Sequence, residues 1–270
     1  MMPWLAVTLE LEAGAVDAFG DALLEAGAQS VSLESGRLSA ILEGRADAAA
    51  TIAAAARSSG IAAPRFTAQK LEDRDWVRAS QAQFEPFAVG RLWIGASWHE
   101  APSDGRRVVR IDPGLAFGTG SHPTTRLVLR FLEQGIHGDE RVLDYGCGSG
   151  ILAIAAAKLG AARVDAVDLD AQAVEAAAAN ATLNQVAVRA CPPEALPPAQ
   201  YDVVVSNILL QPLVLLAPLL AARVKPGGRI ALAGVLESQA DELAAAYAPC
   251  FEATVALRLD GWALVAGVHA

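Results

Sequence analysis

The chain is poor in cysteine: three in 270 residues, Cys147, Cys191 and Cys250, far apart and without metal-ligand spacing. That excludes a disulfide framework and a cysteine-held zinc site, and a reduced cytosolic protein is expected. Positive charge is also short. Lys and Arg total 21 against 30 Asp and Glu, giving a net charge of −9, which argues against a polyanion held by bulk electrostatics. A basic protein partner remains compatible. The start, Met1-Met-Pro-Trp-Leu-Ala, carries no basic leader segment. The longest apolar run, Ile208 to Val224, is broken by Gln211, Pro212, Pro218 and Arg223, so a core helix is expected there and not a membrane span. Histidine is sparse; His99, His137 and His269 stand alone, and no hydrolytic triad or metal cluster is visible. Arginine far outnumbers lysine and alanine is abundant, a compositional bias to which no function attaches.

What is present centres on Arg141-Val-Leu-Asp-Tyr-Gly-Cys-Gly-Ser-Gly150, followed by Ile-Leu-Ala-Ile-Ala-Ala-Ala-Lys158. A short apolar strand ends in an acid, and three alternate glycines open a helix. The pattern predicts strand, tight turn and helix, the first unit of a nucleotide-binding α/β sheet. Glycines tolerate unusual backbone angles and let a ligand lie against the chain, and the helix turns its positive dipole end toward it. Cys147, inside the turn, is expected to be a small packed side chain. Gly148-Ser-Gly-Ile-Leu-Ala153 also fits the dinucleotide fingerprint, with Asp168 where a ribose-binding acid belongs. An NAD-dependent oxidoreductase is therefore an open reading.

The neighbouring residues add to the pattern. Asp144 precedes the glycines, Asp168-Leu-Asp170 ends a second strand, Asp202-Val-Val-Val-Ser206 runs into Asn207-Ile-Leu-Leu210, and Val224-Lys-Pro-Gly-Gly228 reads as a turn before another strand. In this order the four features resemble the class I S-adenosylmethionine-dependent methyltransferases.

The first 70 or so residues read β-α-β-β-α-β: strands Trp4–Glu12, Ser30–Glu34, Arg37–Leu42 and Arg65–Leu71, helices Ala15–Ala26 and Ala46–Ser58. That order predicts a small ferredoxin-like α+β domain. Its strands offer Trp4 and Phe66 but little positive charge, so a protein-recognition domain is expected ahead of an RNA-binding one. Residues 72–86 form a connector, expected to be helical and to allow domain motion, and 87–270 a catalytic domain. In that domain strands are expected at Arg163–Asp168, Val186–Ala190, Arg229–Ala233, Phe251–Leu257 and Trp262–Val268, and helices at Thr124–Gln134, Ala171–Leu183, Gln211–Arg223 and Glu237–Tyr247. Asp260-Gly261 signals a hairpin joining the last two strands. A sheet ending in a hairpin resembles the seven-stranded, Rossmann-like methyltransferase sheet with its antiparallel last strand.

A second informative stretch is Asp112-Pro-Gly-Leu-Ala-Phe-Gly-Thr-Gly-Ser-His-Pro-Thr-Thr125. It reads as a glycine-rich loop running into a helix, with Ser121 as the expected cap and Pro123 in the first turn. Such a loop can fold over a ligand, with Phe117 and Thr125 as its expected contacts. His122 is a candidate base, though a histidine at a helix start more commonly serves as a local hydrogen-bond partner. Together with the glycine turn and Ser206-Asn-Ile-Leu209, this loop resembles the bacterial PrmA family, methyltransferases of the large-subunit ribosomal protein at the stalk base. Ser121 departs from the family's usual threonine but keeps a hydroxyl.

The resemblance implies S-adenosylmethionine as methyl donor, a ribosomal protein as partner, and lysine side chains and an N-terminal α-amine as acceptors. It places donor contacts at Thr125, Gly146, Asp168 and Asn207. On chemical grounds Gly148 joins Gly146 in admitting the donor, and Asp144 can pair with the donor's ammonium or brace the loop. Asn207 is the expected catalytic residue: it keeps the asparagine of the Asn/Asp-Pro-Pro-Tyr/Phe motif of amine and amide methyltransferases, without the prolines and the ring. No metal, no direct nucleic-acid binding, no membrane attachment and a cytoplasmic monomer are expected. RNA methylation stays open as a further alternative.

Overall fold

The structure, a computed structural model, describes residues 4–9, 16–28, 30–34, 37–43, 47–71, 85–112 and 122–270. The expected connector lies outside them except for residues 85 and 86, and so do Phe117 and the rest of the loop from 113 to 121. The chain divides into two compact units, Met1–Ala82 and Gln83–Ala270.

The first unit runs β1 (Trp4–Leu9), α1 (Val16–Glu25), β2 (Ser30–Glu34), β3 (Arg37–Glu43), α2 (Ala48–Ser59) and β4 (Phe66–Leu71). Its antiparallel sheet has the order β2-β3-β1-β4, the ferredoxin-like arrangement. Val7, Leu9, Phe19, Leu23, Leu42 and Ile52 form its core. Helix α2 starts at Ala48 and not at the expected Ala46, because the Asp47 carboxylate accepts the Ala49 and Ala50 amides as a cap. Gly60, at φ 71°, ends the helix.

The second unit opens with a small sheet of β5 (Phe87–Val89), β6 (Leu92–Gly95) and β7 (Arg107–Arg110), followed by α3 (Pro123–Gly135). Alternating strands and helices follow: β8 (Arg141–Tyr145), α4 (Ile151–Leu159), β9 (Arg163–Val167), α5 (Ala171–Leu183), β10 (Val188–Cys191) and β11 (Tyr201–Asn207). Then come α6 (Leu210–Leu215), α7 (Ala217–Arg223), β12 (Val224–Leu236), α8 (Ala240–Tyr247), β13 (Thr254–Leu259) and β14 (Trp262–Val268).

These strands make one seven-stranded sheet, β10-β9-β8-β11-β12-β14-β13. The strands from β10 to β12 are parallel to their neighbours, and β14 is antiparallel to both β12 and β13. Strand order reverses between β8 and β11, which opens a crevice at their carboxyl ends. The central strands are apolar on both faces because helices cover both. One buried cluster lies on the face of α3, α4 and α5, and a second on the face of α6, α7 and α8.

Three expectations are corrected here. Val224-Lys-Pro-Gly-Gly228 is no separate turn; it belongs to β12, where Gly227 at φ 73° lies in a register shift against β11. The expected helix Gln211–Arg223 is two helices that meet at Leu216, with Pro218 in the first turn of the second. The cap of α3 is His122 and not Ser121. The hairpin at Asp260-Gly261 is present; both residues have positive φ, 50° and 79°, as the type I′ turn requires.

Candidate functional site

The glycine turn is held from beneath. The Gly146 and Cys147 amides donate to the Val167 carbonyl at 2.7 and 2.9 Å, and the Gly148 amide donates to the Asp168 carboxylate at 2.8 Å. The Gly150 amide donates back to Cys147. These amides are therefore used inside the fold, and the glycines contribute clearance. Gly146, at φ 80°, would bring a Cβ to 2.5 Å from the Ile208 methyl, and Gly150, at φ 77°, to 3.0 Å from the Ala177 backbone. Cys147 is buried, and burial pushes its thiol far above the ordinary range, with the Asp144 and Asp168 charges adding to the effect. It is an inert packing side chain.

Asp144 has no exposed surface. Its Oδ2 accepts the Ala153 amide at 3.1 Å, in the first turn of α4, while its Oδ1 has no hydrogen-bond partner among the described residues. Desolvation pushes its pKa up to about 7, against the Ala153 hydrogen bond and with a smaller push from Asp168. A buried, half-satisfied carboxylate under a glycine turn fits a cationic ligand group.

Asp168 stands just past β9. Its two oxygens accept the Gly148 and Asp170 amides at 2.8 and 3.0 Å. Each oxygen keeps a second lone pair, so the carboxylate is already aimed and can still accept two hydroxyls.

Across the crevice, β11 pairs with β8 with Val205 opposite Asp144, so Asn207 comes level with Gly146 two residues further on. The Ser206 hydroxyl donates to the Tyr145 carbonyl at 2.6 Å and ties the two strand ends together. Asn207 Nδ2 donates to the Thr125 hydroxyl at 3.2 Å. Among the described residues no hydrogen bond reaches Asn207 Oδ1. Thr124 and Thr125 are both buried in the first turn of α3. His122 caps that helix: its Nδ1 accepts the Thr124 amide at 3.4 Å and lies 2.8 Å from the Thr124 hydroxyl, with Trp262 edge-on at 4.7 Å. The Nδ1 contacts are both local and make His122 the cap of the helix.

The structure thus brings Asp144, Gly146, Gly148, Asp168, Asn207 and Thr125 to one end of the sheet; Phe117 lies outside the described residues. Sequence reading passed over Asn180 on α5 and Asn184, which caps its C-terminus, buried at 8% and 4% exposure. Two asparagines four apart on the buried stripe of an alanine-rich helix are the signal that would have singled them out. Among the described residues there is no cluster of metal-binding side chains, and no helix is long and apolar enough to cross a membrane.

The sequence profile of the ribosomal protein L11 methyltransferase (PrmA) family matches residues 33–269. Proteins named ribosomal protein L11 methyltransferase from Chromobacterium violaceum and Thiobacillus denitrificans are 45% and 46% identical to the chain, each aligned over 99% of both sequences. Among solved structures, the ribosomal protein L11 methylase of Lactobacillus delbrueckii superposes with a TM-score of 0.63 at 32% identity, covering 69% of this chain and 99% of that one. A Thermus thermophilus 16S rRNA methyltransferase in complex with AdoMet and guanosine shares the fold at a TM-score of 0.52 and 20% identity.

Proposed function

The chain belongs to the ribosomal protein L11 methyltransferase family, and from that premise we propose that it moves methyl groups from S-adenosylmethionine to amines of ribosomal protein L11, both lysine side chains and the N-terminal α-amine. The observation that carries this reading is the Asn207–Thr125 contact at the mouth of the crevice, level with the glycine turn. An amide so placed faces the point where donor and acceptor meet.

The residues fit the donor. Asp168 accepts the two ribose hydroxyls on its remaining lone pairs. Asp144 Oδ1, buried and without a partner among the described residues, receives the α-ammonium. Gly146 and Gly148 leave room for the chain of the donor's amino acid, and the Thr125 hydroxyl, accepting from Asn207, has its own proton free for the carboxylate. Phe117 is assigned to the same pocket from the loop between Asp112 and Thr125. The donor supplies an electrophilic methyl on a positively charged sulfur.

Transfer is an in-line displacement, so the protein's task is to hold an unprotonated amine in line. Asn207 performs it. Its Nδ2 is held by Thr125, which turns Oδ1 toward an amine N–H and leaves the nitrogen lone pair pointing at the methyl. A lysine starts with a pKa of about 10.4, and both burial and a nearby cation favour its neutral form. The neutral amide of Asn207 holds an ammonium less tightly than a carboxylate would, and so opposes its deprotonation less. Without prolines or an aromatic ring at Ile208-Leu209-Leu210 the cleft clamps no planar group, which suits flexible side chains. The ferredoxin-like unit is assigned to recognition of the protein substrate. Cytoplasmic residence and action as a monomer complete the reading.

The NAD alternative shares the turn and Asp168 but needs a proton donor, and His122 is engaged as a cap. The deciding experiment is intact-mass spectrometry of purified ribosomal proteins incubated with the enzyme and S-adenosylmethionine. Increments of one methyl on L11 alone are expected. Bound donor without any mass gain refutes the substrate; absence of donor binding refutes the reaction.

A further inference from the structure

Helix α5 touches the donor side of the crevice through three residues on one face. Ala177 packs against the turn where Gly150 has no side chain. One turn later, Asn180 Nδ2 donates to the Ser149 carbonyl at 2.9 Å, between the two positive-φ glycines Gly148 and Gly150. One turn later again, Asn184 forms a reciprocal pair with the Arg110 backbone: the Arg110 amide donates to Asn184 Oδ1 at 2.7 Å, and Asn184 Nδ2 donates to the Arg110 carbonyl at 2.6 Å. Asn184 Nδ2 also lies 2.8 Å from the Asn180 carbonyl.

Arg110 ends β7. Beyond it come Ile111 and Asp112, whose carboxylate accepts the Ser97 amide at 2.6 Å, and then the glycine- and hydroxyl-rich stretch that leads to Thr125. The guanidinium of Arg110 binds the Ala96 and His99 carbonyls at 2.8 and 3.0 Å and lies 5.7 Å from the Trp93 ring centre. The end of β7 is therefore rigidly held, and α5 is its link to the glycine turn.

The geometry points to Asn180 and Asn184 as positioning residues of the donor site: Asn180 sets the glycine turn through the Ser149 carbonyl, and Asn184 fixes the end of the helix that carries Asn180 to the Arg110 backbone. The inference rests on the proposed donor site. Neither side chain contacts donor or substrate; each acts through a backbone group. An alanine-rich helix gains nothing from two buried amides unless their hydrogen bonds are used, because an unsatisfied buried amide is costly. All four of these contacts are to backbone atoms, and three of them join segments at least 31 residues apart in sequence.

The test is calorimetric titration of S-adenosylmethionine into the full-length protein, wild type, Asn180→Ala, Asn184→Ala and the double variant, with steady-state kinetics on the ribosomal protein substrate. Each single variant is expected to weaken donor binding about tenfold, the usual scale for losing an orienting partner. The KM for the protein substrate should stay unchanged, and the double variant should lose less than the product of the single losses. A parallel rise in the KM of the protein substrate, or undiminished donor affinity in Asn180→Ala, overturns the inference. Should Asn180→Ala fail to fold, Asn180→Asp gives a second readout. Its protonated form donates to the Ser149 carbonyl and its ionised form repels it, so donor affinity relative to wild type should fall as the carboxyl titrates; a ratio that does not change with pH overturns the inference. Wild-type protein that takes up no donor refutes the methyltransferase reading itself.

Discussion

Asn207 and Thr125 are 82 positions apart, and the amide of one donates to the hydroxyl of the other at 3.2 Å. The contact joins the end of a central strand to the first turn of α3 and sets which atom of the amide faces the crevice. Replacing Asn207 with alanine should therefore act on turnover more than on donor binding. A loss of about 100-fold in kcat is expected from a misplaced acceptor, with a smaller loss of donor affinity, about tenfold, because Asn207 also orients the Thr125 hydroxyl. Single-turnover mass spectrometry beside calorimetry separates the two. An Asn207→Ala variant that methylates at the wild-type rate removes Asn207 from the mechanism.

Gly146 tests the clearance of the turn. At φ 80° an alanine is strained, and its Cβ would meet the Ile208 methyl at 2.5 Å. Left-handed geometry alone costs roughly 1–2 kcal/mol. Gly146→Ala should lower Tm by a few degrees and weaken donor binding more than the stability loss explains. A variant with wild-type donor affinity would show that the turn has room to spare.

Asp144 carries a pH dependence. Its folded-state pKa, pushed up to about 7 by burial, stands above the ordinary aspartate value. Between about pH 4 and 7 the folded protein holds a proton that the unfolded chain has released, so stability falls as pH rises through that window. The loss across the window is at most roughly 4 kcal/mol. Asp144→Asn should flatten the slope. An ammonium on Oδ1 favours the carboxylate, so donor binding near pH 6 should release a proton. Calorimetry in buffers of different ionisation enthalpy measures this, and a buffer-independent heat would mean that Asp144 stays protonated or that no ammonium reaches it.

The glycine-turn half of the crevice was legible in the sequence because its contacts are local. The glycines, Asp144 and Asp168 belong to one strand–turn–helix–strand unit, and the spacing of 20 residues between Gly148 and Asp168 is set by that unit. The antiparallel end of the sheet was legible from Asp260-Gly261. The remaining features depend on tertiary neighbours. Ser121 and His122 are both chemically able to cap α3, and Trp262, from the far end of the chain, packs against the His122 ring. Val224 to Gly228 has turn residues, but Val224 pairs with Tyr201 of β11, and Gly227 and Gly228 exchange backbone hydrogen bonds with His269 just past β14, which draws the stretch into a strand. Nothing near Asn180 or Asn184 in sequence marks Ser149 or Arg110 as partners.

The spans of these contacts divide the crevice into two parts with different folding demands. Closing a chain loop of 82 residues costs about 1 kcal/mol more than closing one of 20, and it requires α3 to have docked on the sheet beside β11 first. The Gly148–Asp168 pair asks only for β8, α4 and β9. In the order that chain entropy favours, the glycine turn assembles from its own neighbours early, and the Asn207–Thr125 contact closes with the rest of the sheet.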